Sequence, residues 1–253
     1  ATIKYILKNF LYIFPFALLP ALFLSFSLDK TAIHTLLTNY FTGNPTAIFT
    51  DIFHAVSIFN FRSVGVFFAG LIGVVLMILC ASLMTALMEK HMRIGKRTFN
   101  GVFSKLNDNL MSTCGICLLY VFIYEIWALI MSSLLFLVSL IGSKAAIYVL
   151  SVIVFLGMHF ILLYIVSIFY LWLPCLQITG FRAFEALRYS YQLVAPVKPR
   201  IIFGQLFSML VAEVLLGVAA VFIPGKIAAI VIAAILYAFM TLMFCVRMQV
   251  IYF

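Results

Sequence analysis

Charge is scarce in this sequence. Aspartate and glutamate together number only 7 in 253 residues, and charged residues of both signs make up 9%. A soluble domain is about a quarter charged and roughly half apolar, whereas 66% of this chain is hydrophobic. The composition therefore excludes an ordinary water-soluble fold and predicts an all-α integral membrane protein.

Motifs of common enzyme classes are also missing. The sequence has no P-loop, nucleophile elbow, HExxH or glycine-rich dinucleotide fingerprint. Gly65, Gly70 and Gly73 lie inside an apolar run, where small residues let helices approach closely. The net charge of +9 does not indicate nucleic acid binding, because the basic residues lie in short loops between apolar runs. We expect no enzyme activity, no cofactor, no metal and no nucleic-acid partner.

Long apolar runs dominate what is present. A membrane-spanning helix needs about 20 apolar residues, and six runs reach that length. They predict one domain of six transmembrane helices over residues 1–253, with no cleavable signal peptide before the first. Pro15 and Pro20 predict a kink in the first span. The predicted spans are Tyr5–Leu28, Val64–Met88, Asn109–Ile141, Ala145–Ile178, Ile201–Ile223 and Ile227 to the end.

Lysine and arginine gather on one side of these spans. Twelve of the 16 lie near the termini or in the loops after the second and fourth spans. The positive-inside rule puts these segments in the cytoplasm, so both termini are expected there. The layout predicts a multi-pass protein of a bacterial cytoplasmic membrane, with the lipid bilayer as its first partner. The opposite side holds only Lys30, Arg62, Lys144 and Lys226.

Short amphipathic helices are predicted between the spans. Residues 98–106 and 181–194 each indicate a short helix at the inner surface before the next span, and their likeness suggests a weak internal repeat. The external loop predicts an interfacial helix on the outer leaflet, after a turn at Thr42–Pro45. Its apolar residues at helical spacing are Ile48, Phe49, Ile52, Phe53, Val56 and Phe59.

The second inner loop carries a family resemblance. Residues 183–194 read Ala-Phe-Glu-Ala-Leu-Arg-Tyr-Ser-Tyr-Gln-Leu-Val. This segment resembles the "A-L-x-x-S-W-x-L-V" that precedes the fifth span in a group of bacterial six-span proteins. That group includes the membrane domain ahead of some glycerophosphodiester phosphodiesterases. The resemblance implies a six-span fold. The phosphodiesterase chemistry is not carried over to this chain, because the catalytic domain is absent from it. The matching residues are Ala186, Leu187, Ser190, Leu193 and Val194, with Tyr191 in place of Trp.

Three ionisable residues fall deep in the predicted spans and are candidates for substrate binding or ion coupling: Glu125, His159 and Glu213. Glu125 lies eighteen positions before the turn at Ser143, so its antiparallel partner is expected near Ile161, one turn from His159. A Glu125–His159 pair would relay a proton or bind a cationic group, or would be a structural hydrogen bond that locks the hairpin.

Glu213 and Arg247 also have two interpretations each. Glu213 would serve a coupling ion or substrate, or would bond Tyr237 or Thr241 of the sixth span. Arg247 is expected to reach the headgroups and anchor the last span. The five cysteines, which include Cys114 and Cys117 in a CxxC, are interpreted as small buried hydrophobes.

The basic residues of the two inner loops have two interpretations, which are compatible with each other. Topology and headgroup attraction already account for them, and docking of a cytoplasmic protein on the helix around 182–191 is the alternative. The residues concerned are Arg93, Lys96, Arg97, Arg182 and Arg188.

Three functions follow from these features. The first is a non-enzymatic transporter subunit or accessory protein that handles lipids or amphiphiles. The second is a scaffold or regulatory subunit that recruits a cytoplasmic partner. An intramembrane enzyme is the weakest, because Glu125 and His159 alone are too few groups for one. Sparse polarity within the spans favours a subunit or a homo-oligomer over a solitary carrier.

Overall fold

The computed structural model describes residues 2–43, 45, 47–95, 97–180, 182–223 and 225–253, with side chains throughout except at 105–107. The described residues form ten α-helices, one short 3-10 turn at Ala195–Val197 and no strand, which confirms the all-α class. The helices are α1 (Thr2–Ser27), α2 (Lys30–Phe41), α3 (Phe49–Val56), α4 (Val64–Ile94), α5 (Val102–Ser139), α6 (Lys144–Ile168), α7 (Trp172–Thr179), α8 (Ala183–Val194), α9 (Lys198–Phe222) and α10 (Lys226–Tyr252).

Six helical stretches are long and apolar enough to cross a membrane, as predicted, and they are consistent with a multi-pass membrane protein. We call the end of the bundle that holds the start of α1, the end of α10 and the connections after α4 and α7 the basic end. The opposite end is the far end. The stretches are Thr2–Ser27, Val64–Ile94, Asp108–Ser139, Lys144–Thr179, Ala183–Phe222 and Lys226–Tyr252.

The centre of the bundle is α1, which packs between α4 and α10. Its buried residues Ile13, Ala17 and Ala21 share one core with Met84 of α4 and with Leu242 of α10. Small residues permit this close packing. At Gly73 of α4, a Cβ atom would come within 2.8 Å of the Leu24 side chain and 3.0 Å of the Leu24 backbone nitrogen. Glycine is therefore required where α1 crosses α4.

The first span does not lose its helical geometry at the two prolines. Helical dihedrals fail instead at Asn9, where φ is −120° and ψ is 16°. The Asn9 side chain donates a 2.9 Å hydrogen bond to the Tyr5 carbonyl oxygen. Short amide side chains commonly compete for backbone groups in this way. The sequence therefore predicted the irregularity in the right helix and at the wrong residue.

The fourth span is broken, whereas the sequence predicted one continuous helix. Helix α6 ends at Ile168, and α7 begins at Trp172. Pro174 occupies the third position of α7, and its ring would clash with the carbonyl of residue 170 if the helix ran through. The break leaves the Leu171 N–H without a helical partner, and Ser190 Oγ of α8 accepts it at 2.9 Å.

Helix α8 confirms that the segment before the fifth span contains a short helix. Its buried residues Ala186, Ser190 and Val194 form one face, and α8 packs against α7. The segment therefore has a packing role around the break in the fourth span. The first inner helix was wrong as a separate element, because α5 runs unbroken from Val102 and no matching repeat of α8 forms there.

The far-end loop forms two helices, α2 and α3, of which only α3 was predicted. Helix α3 packs against α5. Ser57 and Ile58, which follow its last turn, contact Glu125 of α5, fourteen residues, or about 21 Å, from the far end of that helix at Ser139. The loop therefore enters the bundle and takes up space beside α5, α6 and α9. We call α2 and α3 together the lid.

Candidate ligand-binding cavity

A cavity of about 910 Å³ lies beneath the lid. Its walls come from the far-end halves of α5, α6 and α9, with contributions from α1 and α10, and the lid covers it. The lining is mainly aliphatic and aromatic, for example Leu36, Met131, Phe155 and Leu216. Its volume falls within the usual range for small-molecule pockets, ~300–1,000 Å³. Such a cavity can hold a substantial hydrocarbon group.

The polar centre of this cavity is a pair formed by His159 and Glu213. His159 Nε2 lies 2.8 Å from Glu213 Oε1, and the imidazole is buried on α6. Its other ring nitrogen, Nδ1, lies 2.7 Å from the Phe155 carbonyl oxygen one turn earlier. The Glu213 side chain is about one-third exposed, at 31%. Two of the three predicted candidates therefore meet, within one largely apolar pocket.

Glu125 does not join this pair, so the predicted Glu125–His159 contact was wrong. Its carboxylate accepts hydrogen bonds from the Ser57 hydroxyl at 2.7 Å and from the Ile58 backbone N–H at 2.9 Å. The neighbouring Tyr124 hydroxyl donates to the Val56 carbonyl at 2.8 Å. Non-helical backbone inside a membrane protein needs such partners, because lipid supplies none. Glu125 anchors the end of α3.

Trp127 occupies the position that the sequence gave to Glu125. Its indole N–H donates to the Met158 carbonyl at 2.6 Å, and its ring lies 5.1 Å from the His159 ring, edge to face. Trp127 also lines the cavity. Glu213 likewise has a different partner from those predicted, since the Thr241 hydroxyl bonds the Tyr237 carbonyl instead.

Polar contacts attach the lid to the bundle at three further points. The Lys30 ammonium donates to the carbonyls of Ile223 and Gly225, 2.6 and 3.3 Å away, at the C-terminal end of α9. Cations are favoured at such helix ends. The Arg62 guanidinium lies 3.0 Å from the Asp29 carboxylate and 2.5 Å from the Asp51 carboxylate. These contacts hold both ends of the lid.

Tyr40 of α2 and Tyr148 of α6 form the third attachment. Each hydroxyl donates to the backbone carbonyl of the other residue, at 3.1 and 2.7 Å. Their rings meet edge to face with centroids 4.6 Å apart. Burial raises the pKa of Tyr40 above its usual value, so its hydroxyl stays a donor at neutral pH. On the other side of α2, Leu37 lies against Gly217 of α9. The lid therefore bridges α6 and α9 over the cavity.

The basic residues singled out from the sequence lie at the opposite end from the cavity. Arg93, Arg97, Arg182 and Arg188 are exposed there, whereas Lys96 lies outside the described residues. Arg93 is within 3.2 Å of the buried Glu89 carboxylate one turn earlier. None of the four described side chains, those of Arg93, Arg97, Arg182 and Arg188, contributes to the cavity wall.

Arg247 does not extend to the surface as an anchor. Its guanidinium lies against Gly204 of α9, where a Cβ atom would come within 3.2 Å of Cζ, and Nη2 donates to Ser208 Oγ at 3.3 Å. The absence of a side chain at Gly204 leaves room for this packing. Arg247 therefore joins α10 to α9.

Three buried glutamines form hydrogen bonds to other segments of the bundle, and the sequence analysis did not predict them. Gln177 of α7 and Gln249 of α10 donate to the Ser82 and Thr85 carbonyls of α4 at 2.9 and 3.1 Å. Gln205 of α9 donates to the Tyr170 hydroxyl at 2.6 Å. Amide side chains commonly join membrane helices in this way. In the sequence each appears as a neutral polar residue within an apolar span. Such a residue also occurs at exposed helix ends, so its presence alone does not indicate a buried contact.

Comparisons with protein-family models, curated proteins and solved structures found no match for this chain. Among the described residues, histidine, cysteine, aspartate and glutamate form no group of three that could hold a metal ion. The described walls of the cavity form a hydrocarbon-like volume with the His159–Glu213 pair as its polar centre.

Proposed function

We propose that this chain is a non-enzymatic membrane protein that binds a lipid or another amphiphile in the cavity beneath the lid, as a transporter subunit or accessory protein. The observation that carries the proposal is the cavity itself, about 910 Å³ of largely apolar space with His159 and Glu213 as its polar centre. Ligand sites are usually mostly apolar with a few polar groups that fix orientation. An amphiphile has the matching division into chain and head.

The polar groups support binding rather than catalysis. Both ring nitrogens of His159 are engaged, and so are the Trp127 N–H and the Tyr124 hydroxyl. General acid–base or nucleophilic chemistry needs a positioned base, a nucleophile and a third orienting group around one reacting atom. The described lining offers one paired histidine and one carboxylate, which suit the recognition of a head group.

The charge distribution supports an orientation. We place the basic end in the cytoplasm of a bacterial cell, because twelve of the 16 lysines and arginines belong to segments on that side. The lid and the cavity then face the outer half of the cytoplasmic membrane. In this orientation the ligand enters from the outer leaflet or from the space beyond it.

Tryptophan fluorescence tests the proposal directly, because the chain has 2 tryptophans and only Trp127 lines the cavity. Bromine quenches tryptophan emission on contact. We expect an alkyl amphiphile brominated in mid-chain to quench Trp127 in the full chain, reconstituted in nanodiscs, when the Trp172→Phe variant is used. The matched control is Trp127→Phe, in which the buried Trp172 stays bright. Equal quenching in the two variants, or none in either, would contradict the proposal.

A second candidate function is a scaffold that recruits a cytoplasmic protein. The exposed aromatic residues of α8 favour it: Phe184 is 87% exposed and Tyr191 57%, beside Arg182 and Arg188 at the basic end. Native mass spectrometry of the gently extracted protein separates the two functions. A protein partner at fixed stoichiometry that is lost with Phe184→Ala supports the scaffold, and a bound amphiphile alone supports the first proposal. Copies of this chain bound to one another would show a homo-oligomer.

A further inference from the structure

The hydrogen bonds of His159 fix how many protons the polar pair holds. A carbonyl oxygen can only accept a hydrogen bond, so Nδ1, 2.7 Å from the Phe155 oxygen, carries a proton. The 2.8 Å contact between Nε2 and Glu213 Oε1 then contains one more proton, on whichever of the two atoms donates. An imidazolium with a carboxylate and an imidazole with a carboxylic acid both have a net charge of zero. The cavity therefore has a polar centre without net charge.

The second carboxyl oxygen of Glu213 is the group left unsatisfied. Oε2 is buried and has no hydrogen-bond partner among the described residues. A desolvated carboxyl oxygen without a donor is unfavourable, because water that would have solvated it has been removed. A ligand group that donates a hydrogen bond to this carboxyl removes that unfavourable term. A group that only accepts does not.

The rest of the described lining gives an anionic head no lysine or arginine as a partner. The strongest donors nearby are already used, since Trp127 bonds Met158, Tyr124 bonds Val56 and Ser57 bonds Glu125. Lys30, at the mouth of the lid, is held by two carbonyls of its own protein. Burial of a phosphate or carboxylate here would leave its charge without compensation.

We propose, on the basis of the proposed function, that the cavity selects amphiphiles whose head donates hydrogen bonds, namely a protonated amine or a hydroxyl, and discriminates against anionic heads. The head lies against the Glu213 carboxyl group beside His159, and the hydrocarbon chain fills the space under the lid. Selectivity follows from an unpaired acceptor beside a polar pair of zero net charge, in a cavity whose described lining contains no lysine or arginine.

Three brominated probes with the same chain and different heads test this inference. The full chain with Trp172→Phe is titrated in nanodiscs with an alkyl amine, an alkyl alcohol and an alkyl carboxylate, each brominated in mid-chain. We expect the amine and the alcohol to quench Trp127 at concentrations about tenfold or more below the carboxylate, since one extra charge-assisted hydrogen bond accounts for a factor of that size. A carboxylate that binds as well as either overturns the inference and leaves the proposed function standing. Failure of all three to quench overturns both.

Substitution of Glu213 locates the selectivity and separates the two kinds of head. The substitution Glu213→Gln replaces one carboxyl oxygen, an acceptor, by an NH2 group, a donor. The ratio of the affinity for donating heads to the affinity for the carboxylate head should therefore fall towards one. A loss larger for the amine than for the alcohol identifies an ammonium group as the natural head, and equal losses identify a hydroxyl. The matched control is Glu185→Gln in α8 at the basic end, which should keep the full preference. An unchanged preference in Glu213→Gln would contradict the assignment to this carboxyl group.

Discussion

Replacement of Glu125 by leucine is expected to release the end of α3 from the bundle. The carboxylate accepts hydrogen bonds from the Ser57 hydroxyl and the Ile58 N–H. Leucine would leave the Ile58 N–H without a partner in an apolar setting, and the Ser57 hydroxyl with only the Phe59 carbonyl as its acceptor. A buried unsatisfied group costs ~1–3 kcal/mol, so local opening becomes easier by about that amount. The backbone amide of Ile58 should then exchange hydrogen for deuterium about thirtyfold faster or more, the factor produced by about 2 kcal/mol.

The matched control for this prediction is Glu125→Gln. A glutamine keeps a carbonyl oxygen that accepts from the Ile58 N–H, and its NH2 group can donate a hydrogen bond to the Ser57 hydroxyl oxygen. Hydrogen exchange should therefore stay close to that of the parent protein. Hydrogen–deuterium exchange by mass spectrometry in nanodiscs measures all three proteins in the same way. If the leucine variant protects residues 57–60 as well as the parent does, Glu125 is not the anchor of the lid.

A disulfide between α2 and α9 is expected to trap the ligand. A Cβ atom at Gly217 would come within 3.1 Å of Leu37 Cδ1, so positions 37 and 217 face each other across the contact between α2 and α9, the arrangement that a cysteine pair needs in order to form a disulfide. Since α2 bridges α6 and α9 over the cavity, a covalent tie should slow exchange of a bound brominated amine by at least about tenfold, as expected for a closed lid. Recovery of Trp127 emission after dilution into unlabelled amphiphile measures the exchange rate.

The controls for the disulfide are the single variants Leu37→Cys and Gly217→Cys, together with reduction of the double variant. Neither single change forms the tie, so both should exchange the ligand at the same rate under oxidising and reducing conditions. The double variant should return to their rate on addition of a reductant. Exchange that stays fast in the oxidised double variant would show that the ligand enters by a route that does not require α2 to move.

Hydropathy predicted the six spans, and the positions of lysine and arginine predicted that most basic residues lie at one end of the bundle. Both features depend on composition along the chain. Hydropathy did not predict α2, since Lys30–Phe41 is only twelve residues long and mixes lysine, histidine, asparagine and threonines with apolar residues. A segment of that kind is stabilised by its contacts, with Gly217 and Tyr148 here, rather than by its own apolar face. The entry of α3 into the bundle depends on Glu125 in the same way.

The polar pair shows where counting along a hairpin fails. The register of α5 against α6 was nearly right, because Trp127, two positions after Glu125, meets Met158 and His159. Residues that are two positions apart on a helix point in nearly opposite directions, because a helix has 3.6 residues per turn. Glu125 therefore faces the lid, and the partner of His159 comes from α9 instead. The register of α9 against α6 cannot be predicted by counting residues, because α7, α8 and a 3-10 turn lie between the two helices.

The contacts of the lid also set an order on the synthesis of the protein. Helix α2 is made before the segments it contacts, since Lys30 bonds a carbonyl 193 positions later in the chain and Tyr40 bonds one 108 positions later. Chains are made from the N-terminus, and contacts distant in sequence form only after both partners exist. The lid must therefore wait, without its final partners, until α9 has left the ribosome.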